Sequence, residues 1–227
     1  MNDAIILSDL HLGSKVCQAK NILNFLSQIK NKQIETSLLI LNGDVFDSWD
    51  FRRLCKKHWK VLSALRKLSS TIDVVWVNGN HDGPTEIVSH LLGTKVFEEY
   101  IINSSGKKIL VMHGHQFDDF ISDHPRFTKI ADKIYRFLQK IHLDWALKIK
   151  KSSKTFLGNA AAIENKSIVY AKKKLCDAVC CGHVHLSSCK PEVGYYNSGS
   201  WTEVPCSYLL VSEGIVTLRE FVEQKII

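Results

Sequence analysis

The chain has 227 residues, 45% of them hydrophobic and 23% charged, with a formal net charge of +7. That is an ordinary globular composition for which one compact domain is expected, and no apolar run approaches the roughly 20 residues that cross a bilayer. The basic balance favours anionic partners: a phosphorylated metabolite, an acidic membrane surface or nucleic acid.

Met1 to Leu7 lacks a basic leader and runs straight into a strand pattern, so no signal peptide is expected. The seven cysteines are odd in number and include no Cys-x-x-Cys pair. This argues against a disulfide framework or a structural zinc site and for a reducing cytosol. Cys180 and Cys181 read as small core residues.

Ile5 to Ser8 is a short apolar strand that runs into Asp9-Leu10-His11-Leu12-Gly13. Gln18 to Ile29 has helical spacing, with Ile22, Phe25, Leu26 and Ile29 on one face. Leu38 to Leu41 reads as a strand covered on both faces and ends at Asn42-Gly43-Asp44-Val45-Phe46-Asp47. Arg52 to Leu68 reads as a helix rich in Lys and Arg. Val74 to Val77 is a third buried strand, ending in Asn78-Gly79-Asn80-His81-Asp82-Gly83-Pro84, and Glu86 to Leu92 reads as a short helix closed by Gly93. Glu98 to Asn103 and Lys107 to Met112 form a hairpin pattern around Ser104-Ser105-Gly106. The second of these runs into His113-Gly114-His115-Gln116. From about Asp118 to Lys174 the pattern is mostly helical. Strands resume at Asp177 to Cys181, Gly194 to Asn197, Tyr208 to Ser212 and Ile215 to Phe221, with Glu213-Gly214 as the turn between the last two.

Alternating strands and helices followed by hairpins predict a layered α/β fold with mixed sheets. In such folds sites form beyond the carboxyl ends of strands. The polar clusters of this chain fall there. In Gly182-His183-Val184-His185 the two histidines stand two residues apart, so extended backbone would aim both rings at one place. Asp9, His11, Asp44, Asn80, His113, His183 and His185 are the candidate ligands. Carboxylates, imidazoles and an amide oxygen suit Mn, Fe or Zn better than a soft thiolate-binding ion. Seven ligands exceed the needs of one open catalytic metal. They suit two divalent ions sharing a carboxylate, roughly 3.5–4 Å apart, that clamp a phosphoryl group and activate water.

Asp9-x-His11, Gly43-Asp44-x-x-Asp47, Gly79-Asn80-His81-Asp82, His113-Gly114-His115 and Gly182-His183-x-His185 occur in the order seen in calcineurin-like metallophosphoesterases, and the chain resembles that family over most of its length. The resemblance implies a four-layer αββα sandwich of two mixed sheets, with residues 118–175 as a helical lid insertion. It implies that Asp44 bridges two metals, that Asp9, His11 and His185 complete one site, and that Asn80, His113 and His183 complete the other. It makes His81 the catalytic histidine at the leaving-group oxygen and Asp82 its orienting partner. Ser8 to Gly13 followed by Cys17-Gln18-Ala19, then Met112 to Asp118, then Tyr196 to Trp201, are similar to the UDP-2,3-diacylglucosamine diphosphatase branch. That branch releases lipid X and UMP in lipid A biosynthesis, usually with manganese; for this chain a cytoplasmic location is expected, peripheral at the inner face of the cytoplasmic membrane. His81 and His115 depart from its best-known members, which carry arginine and aspartate there.

Some readings stay open on sequence. His115 is a hydrogen-bonding support for a ligand or a substrate contact, and Asp47 a support or a loop cap. His58, His90, His124 and His142 join no strand-end cluster and read as surface or core residues. Arg52, with Arg53, Lys56 and Lys57, forms a solvated helix face or steers a diphosphate inward. Phe127 to Ile149, with Phe137 and Trp145 near its apolar face, is an amphipathic helix packed on the domain. Alternatively it is a lid that admits acyl chains and rests on an acidic membrane. The substrate expected is a phosphorylated, lipid-linked nucleotide. The alternatives are a soluble nucleotide cleaved by a phosphodiesterase or nucleotidase, and a non-catalytic scaffold. No motif for specific nucleic-acid binding is recognisable.

Overall fold

The structure, a computed structural model, describes residues 2–83, 85–118 and 154–221. Among the described residues, eleven strands are distributed over two sheets. The first holds β1 (Ala4–Leu7), β2 (Leu38–Asn42), β3 (Asp73–Val77), β4 (Lys95–Phe97), β10 (Cys206–Ser212) and β11 (Ile215–Phe221), in the order β11-β10-β1-β2-β3-β4. β1 to β4 run parallel, and β10 joins β1 antiparallel. The second sheet holds β5 (Glu99–Ser104), β6 (Lys107–Met112), β7 (Ala178–Cys181), β8 (Ser188–Lys190) and β9 (Tyr195–Asn197), in the order β5-β6-β7-β9-β8. β6, β7 and β9 are parallel, and the flanking strands are antiparallel.

The two-residue period of a strand sends alternate side chains into different layers. Ile5, Leu7, Leu39, Leu41, Val74 and Trp76 pack against α1 (Ala19–Lys30) and α2 (Lys56–Leu68). Ala4, Ile6, Ile40, Val75 and Val77 turn the other way and meet Ile109, Val111 and Cys180 of the second sheet. Leu110, Met112, Val179 and Cys181 point outward from that sheet onto the helix Lys154–Lys173, here α4, through Ala171 and Ile168. The order of layers is therefore helix, sheet, sheet, helix. The central strands read as continuous apolar runs because both of their faces are covered.

α1 buries Ile22, Phe25, Leu26 and Ile29 at helical spacing. Such side chains each contribute about 1.5–3 kcal/mol when buried. The helix expected from Arg52 starts later. Phe51–Arg53 makes one 3-10 turn, Leu54 is extended, and α2 begins at Lys56. His58 is buried, and its Nδ1 accepts the N–H groups of Cys55 and Gly13, both at 3.2 Å. It therefore pins the loop after His11 to the start of α2. His90, on α3 (Thr85–Leu92), is exposed.

The β5–β6 and β10–β11 hairpins close through two residues of positive φ, Ser105-Gly106 and Glu213-Gly214, matching the right-handed twist of paired strands. β4 and β8, which the sequence does not predict, are three-residue edge strands too short to show a period. Of the helical insertion expected over 118–175, α4 is described. Residues 119–153 lie outside the described residues, and with them Phe137, Trp145 and the amphipathic stretch from Phe127 to Ile149.

Candidate metal centre

The site begins where β1, β2, β3, β6 and β7 end. The loops after β1 and β2 are knitted together: Asp9 N–H donates to the Gly43 carbonyl at 3.0 Å, His11 N–H to Asp44 at 2.9 Å and Leu12 N–H to Val45 at 2.8 Å. Asn42 ties the two sheets, its amide donating to the Met112 carbonyl at 3.1 Å and to Cys180 at 3.4 Å. The backbone is bent hard at the candidate ligands. Asp9, His11, Asp44, His183 and His185 have φ of 54°, 46°, 53°, 69° and 56°. Left-handed backbone at a residue with a side chain costs about 1–3 kcal/mol and persists where the surroundings impose it. Val184 N–H donates to the Gly182 carbonyl at 2.8 Å, closing a three-residue turn on His183. His183 and His185 therefore do not sit on extended backbone, and their rings part towards different neighbours.

Two groups of ligand atoms result, Asp9–His11–His185 and Asp44–His113–His183, the atoms of each lying within 4.8 Å of one another. Asp44 stands between them. Its Oδ1 is 3.4 Å from His113 Nε2, while its Oδ2 is 3.7 Å from His11 Nε2. His185 Nε2 lies 3.1 Å from Asp9 Oδ1 and 3.1 Å from His11 Nε2. The loops leave no room for side chains at two glycines. A Cβ on Gly43 would clash with the His113 ring, and one on Gly79 would overlap the Asp44 backbone nitrogen and carboxylate.

Histidines supply the countercharge for these buried carboxylates. Burial alone would raise the Asp9 pKa, but His185, His11 and His113 hold it well below the ordinary value. Burial likewise opposes ionisation of Asp44, and His113 and His11 overcome it. Burial disfavours the His11 cation, yet Asp47 and Asp9 push its pKa up to about 10. His113 rises to about 9, burial being outweighed by Asp44. Such a cluster asks for positive charge. Two ligand atoms aimed into it, Asp9 Oδ1 and His113 Nε2, are buried and make no hydrogen bond. A buried polar atom left so costs about 1–3 kcal/mol. Oxygen and imidazole donors, orphaned and crowded, fit hard-to-borderline divalent cations.

The remaining expected residues take different places around this cluster. Asn80 is exposed in the turn after Gly79, beside His81, whose N–H donates to Asp44 Oδ1 at 2.9 Å. The His81 ring is oriented by the Asp47 carbonyl, 3.0 Å from its Nδ1, and not by Asp82. Asp82 is fully buried, and its carboxylate accepts from Phe46 N, Trp76 Nε1 and Gly79 N, each at 3.0 Å. It builds the loop that carries His81; burial, then the Asp44 charge, raise its pKa to about 6. His115 stands beside the second group, its ring 5.5 Å from that of His113 and 6.3 Å from that of His183. Burial and those two neighbours push its pKa down to about 4, so it is neutral at physiological pH. The Arg52 guanidinium is exposed and held by Asp50 at 2.7 Å. Arg53 is the arginine that reaches the cluster, paired with Asp47, whose Oδ1 is 3.5 Å from His11 Nδ1. Sequence reasoning gave no role to Asn42, whose carbonyl oxygen lies 2.8 Å from His113 Nδ1, or to Asp118, whose Oδ2 lies 2.8 Å from His183 Nε2. Asp118 stands in the run Met112 to Asp118, but nothing local distinguishes it from a loop aspartate.

A four-layer α/β sandwich with two Asp/His groups at converging strand ends defines a metallophosphoesterase, a fold that implies a dimetal centre. The family model for calcineurin-like phosphoesterases matches residues 4–187, and the chain belongs to that family. Among curated relatives it is similar to UDP-2,3-diacylglucosamine hydrolase of Serratia proteamaculans (strain 568), 25% identical over 159 residues, 65% of this chain and 63% of the relative. The hydrolase of that name from Yersinia pseudotuberculosis serotype O:1b (strain IP 31758) is 27% identical over 178 residues, 72% of this chain and 65% of the relative. The chain thus spans slightly less than two thirds of these relatives' length. Among solved structures, a single mutant of Vps29 from Entamoeba histolytica covers 96% of this chain and 97% of its own at a TM-score of 0.50 and 17% identity. An archaeal phosphodiesterase covers 96% and 98% at 0.51 and 14% identity. These two likenesses concern the fold.

Proposed function

We propose that the chain is a two-metal hydrolase that cleaves the phosphoanhydride of a nucleotide-linked, acylated sugar, with UDP-2,3-diacylglucosamine as the preferred substrate. The observation that carries the reaction class is the placement of Asp44 between two convergent Asp/His groups in which Asp9 Oδ1 and His113 Nε2 are buried without a hydrogen bond. Family membership supports hydrolysis. The substrate rests on the named relatives alone.

Asp9, His11 and His185, with one oxygen of Asp44, would hold the first cation. His113, His183 and Asn80, with the other oxygen, would hold the second. Bound there, two divalent ions, preferably manganese with iron or zinc as alternatives, supply Lewis-acid polarisation of a phosphoryl group and a more acidic water. The chain's own groups do the rest. The Asp47 carbonyl accepts from Nδ1–H of His81, so Nε2 faces the cluster, 4.0 Å from Asp44 Oδ2. Protonated there, it donates to the departing oxygen. The His81 side chain is 34% exposed, open to a substrate, whereas the ligand carboxylates beneath it are buried. Arg53 neutralises Asp47 and keeps His11 turned inward. No helix among the described residues is long and apolar enough to cross a membrane. A lipid-linked substrate would be met from the cytoplasmic side, at the surface of an acidic membrane attracted by the net charge of +7.

A manganese-dependent turnover panel tests the reading. It compares UDP-2,3-diacylglucosamine, UDP-N-acetylglucosamine and bis(4-nitrophenyl) phosphate. Release of UMP from the first at a far higher kcat/KM than from the second supports it. Equal rates on both UDP sugars would overturn the lipid substrate and leave a phosphodiesterase or nucleotidase.

A further inference from the structure

His183 is held from behind as well as from the front. Its Nε2 lies 2.8 Å from Asp118 Oδ2, and Asp118 Oδ1 accepts from Asn159 Nδ2 at 3.0 Å. The side chains of His183 and Asp118 are 8% and 7% exposed, so the pair is shielded from water. Asp118 closes the 3-10 turn that comes after His113, its N–H donating to the His115 carbonyl at 3.1 Å. Asn159 lies near the start of α4, the described helix of the expected insertion. Asp118 belongs to neither group of convergent ligand atoms.

A neutral imidazole has one N–H and one lone pair, and an ionised carboxylate accepts only. Asp118 therefore selects the tautomer with the proton on Nε2, which leaves the lone pair of His183 on Nδ1. Two other histidines of the site are steered by backbone carbonyls. The Asn42 carbonyl faces His113 Nδ1, and the Asp47 carbonyl faces His81 Nδ1. At His183 the partner is a side-chain carboxylate, and a carboxylate behind a ligating imidazole makes the ring a stronger donor to a cation. The turn at His183 has φ of 69°, a strained backbone that persists where the surroundings impose it.

We infer that Asp118, held by Asn159, is a positioning residue that fixes the tautomer and orientation of His183 for the cation of the Asp44–His113–His183 group. The inference rests on His183 being a ligand under the proposed function. The start of the insertion and its described helix then meet at one carboxylate behind one ligand, and the packing of α4 bears on the occupancy of one metal site.

The test uses the full chain and four variants: Asp118→Ala, Asp118→Asn, Asn159→Ala and His183→Ala. Metal-free protein is titrated with manganese and the free ion followed by electron paramagnetic resonance. The ring nitrogens of His183 are assigned by 15N NMR without metal, and the melting temperature of each metal-free variant is recorded. The wild-type chain is expected to bind two equivalents. Asp118→Ala should weaken one of them by about 10- to 100-fold and leave the other unchanged. Asp118→Asn should restore most of that affinity, because its amide oxygen still accepts from Nε2–H once Asn159 turns its own oxygen towards the new amide. Asn159→Ala should fall between the two. The Nε2–H tautomer should be seen in the wild type and in Asp118→Asn, and its preference lost in Asp118→Ala.

Two full-affinity equivalents in Asp118→Ala, with one lost in His183→Ala, would overturn the inference and leave the ligand assignment intact. Two full-affinity equivalents in His183→Ala would overturn the ligand assignment itself, and the inference with it. Loss of both equivalents in Asp118→Ala and Asp118→Asn alike, with a matching fall in melting temperature, would make Asp118 structural and also overturn it.

Discussion

His81 Nδ1 lies 3.0 Å from the backbone carbonyl oxygen of Asp47. A carbonyl does not donate, so the proton sits on Nδ1 and Nε2 is presented to the cluster. His81→Ala should therefore keep its metals and lose turnover by on the order of 100- to 10,000-fold. Elemental analysis and kcat are read on the same samples. Metal lost in step with activity would make His81 a ligand, and unchanged turnover would remove it from the mechanism.

Asp44 is the carboxylate whose two oxygens face different groups. Asp44→Ala is expected to abolish hydrolysis and to empty both sites, since a methyl group neither ligates nor neutralises. Two full metal equivalents in that variant would sink the bridging assignment.

Asp82 predicts a different phenotype. Replacement by Ala orphans the N–H groups of Phe46, Trp76 and Gly79. Each orphan costs about 1–3 kcal/mol. A total of about 3 kcal/mol lowers the melting temperature of a chain this size by roughly 6–12 °C. Thermal denaturation of metal-free Asp82→Ala should show that fall. A melting curve equal to wild type would mean that the carboxylate serves the reaction and not the loop.

The raised pKa values of His11, about 10, and His113, about 9, fix the sign of a pH effect. At pH 7 both rings carry protons that a cation must displace, because ligating imidazole is neutral. Manganese affinity should rise from pH 6 to pH 8, by up to about tenfold per unit for each proton released. The metal-free fold should show the reverse. Its gain from these protons is complete below the ordinary histidine value of about 6.5 and is lost as pH climbs through 9 to 10. Calorimetric titration in buffers of different ionisation enthalpy counts the protons. A pH-independent affinity with no proton release would contradict the reading.

The stretch from Phe127 to Ile149 bears on the substrate. If it shelters acyl chains, Phe137→Ser or Trp145→Ser should depress kcat/KM for the diacylated substrate about 10- to 200-fold relative to bis(4-nitrophenyl) phosphate. Equal losses on both substrates, for both variants, would defeat the acyl chamber and leave the phosphoesterase chemistry standing.

Much of the fold is legible along the chain because it is written in short-range periods. β1, β2, β3, β6 and β7 are apolar runs that stop at polar clusters, and Ile215–Phe221 is bounded to the residue by its Glu213-Gly214 turn. A helix is expected from Arg52 because Arg52 and Arg53 are good helix formers, but Leu54 is extended and breaks the run, and Cys55 restarts the helix as its cap. β4 and β8 escape a sequence reading because three edge residues carry no period of their own.

The candidate ligands are legible for the same reason: Asp9, His11, Asp44, His113, His183 and His185 each come just after a strand end in local sequence. The spatial partners that orient them are not. Asp82 stands next to His81 along the chain but spends its carboxylate on Phe46, Trp76 and Gly79, while the carbonyl of distant Asp47 turns the His81 ring. Arg52 and Arg53 look equivalent as text, yet one meets Asp50 in solvent and the other meets Asp47 at the cluster. Asp118 reaches His183 from 65 residues away and is itself held by Asn159, a meeting that depends on how α4 docks on the second sheet. Side-chain identity and spacing set which atoms are offered as ligands. Hydrogen bonds between atoms remote in the chain choose the tautomer and direction of each ring, and those bonds exist once two sheets and two helical layers have packed.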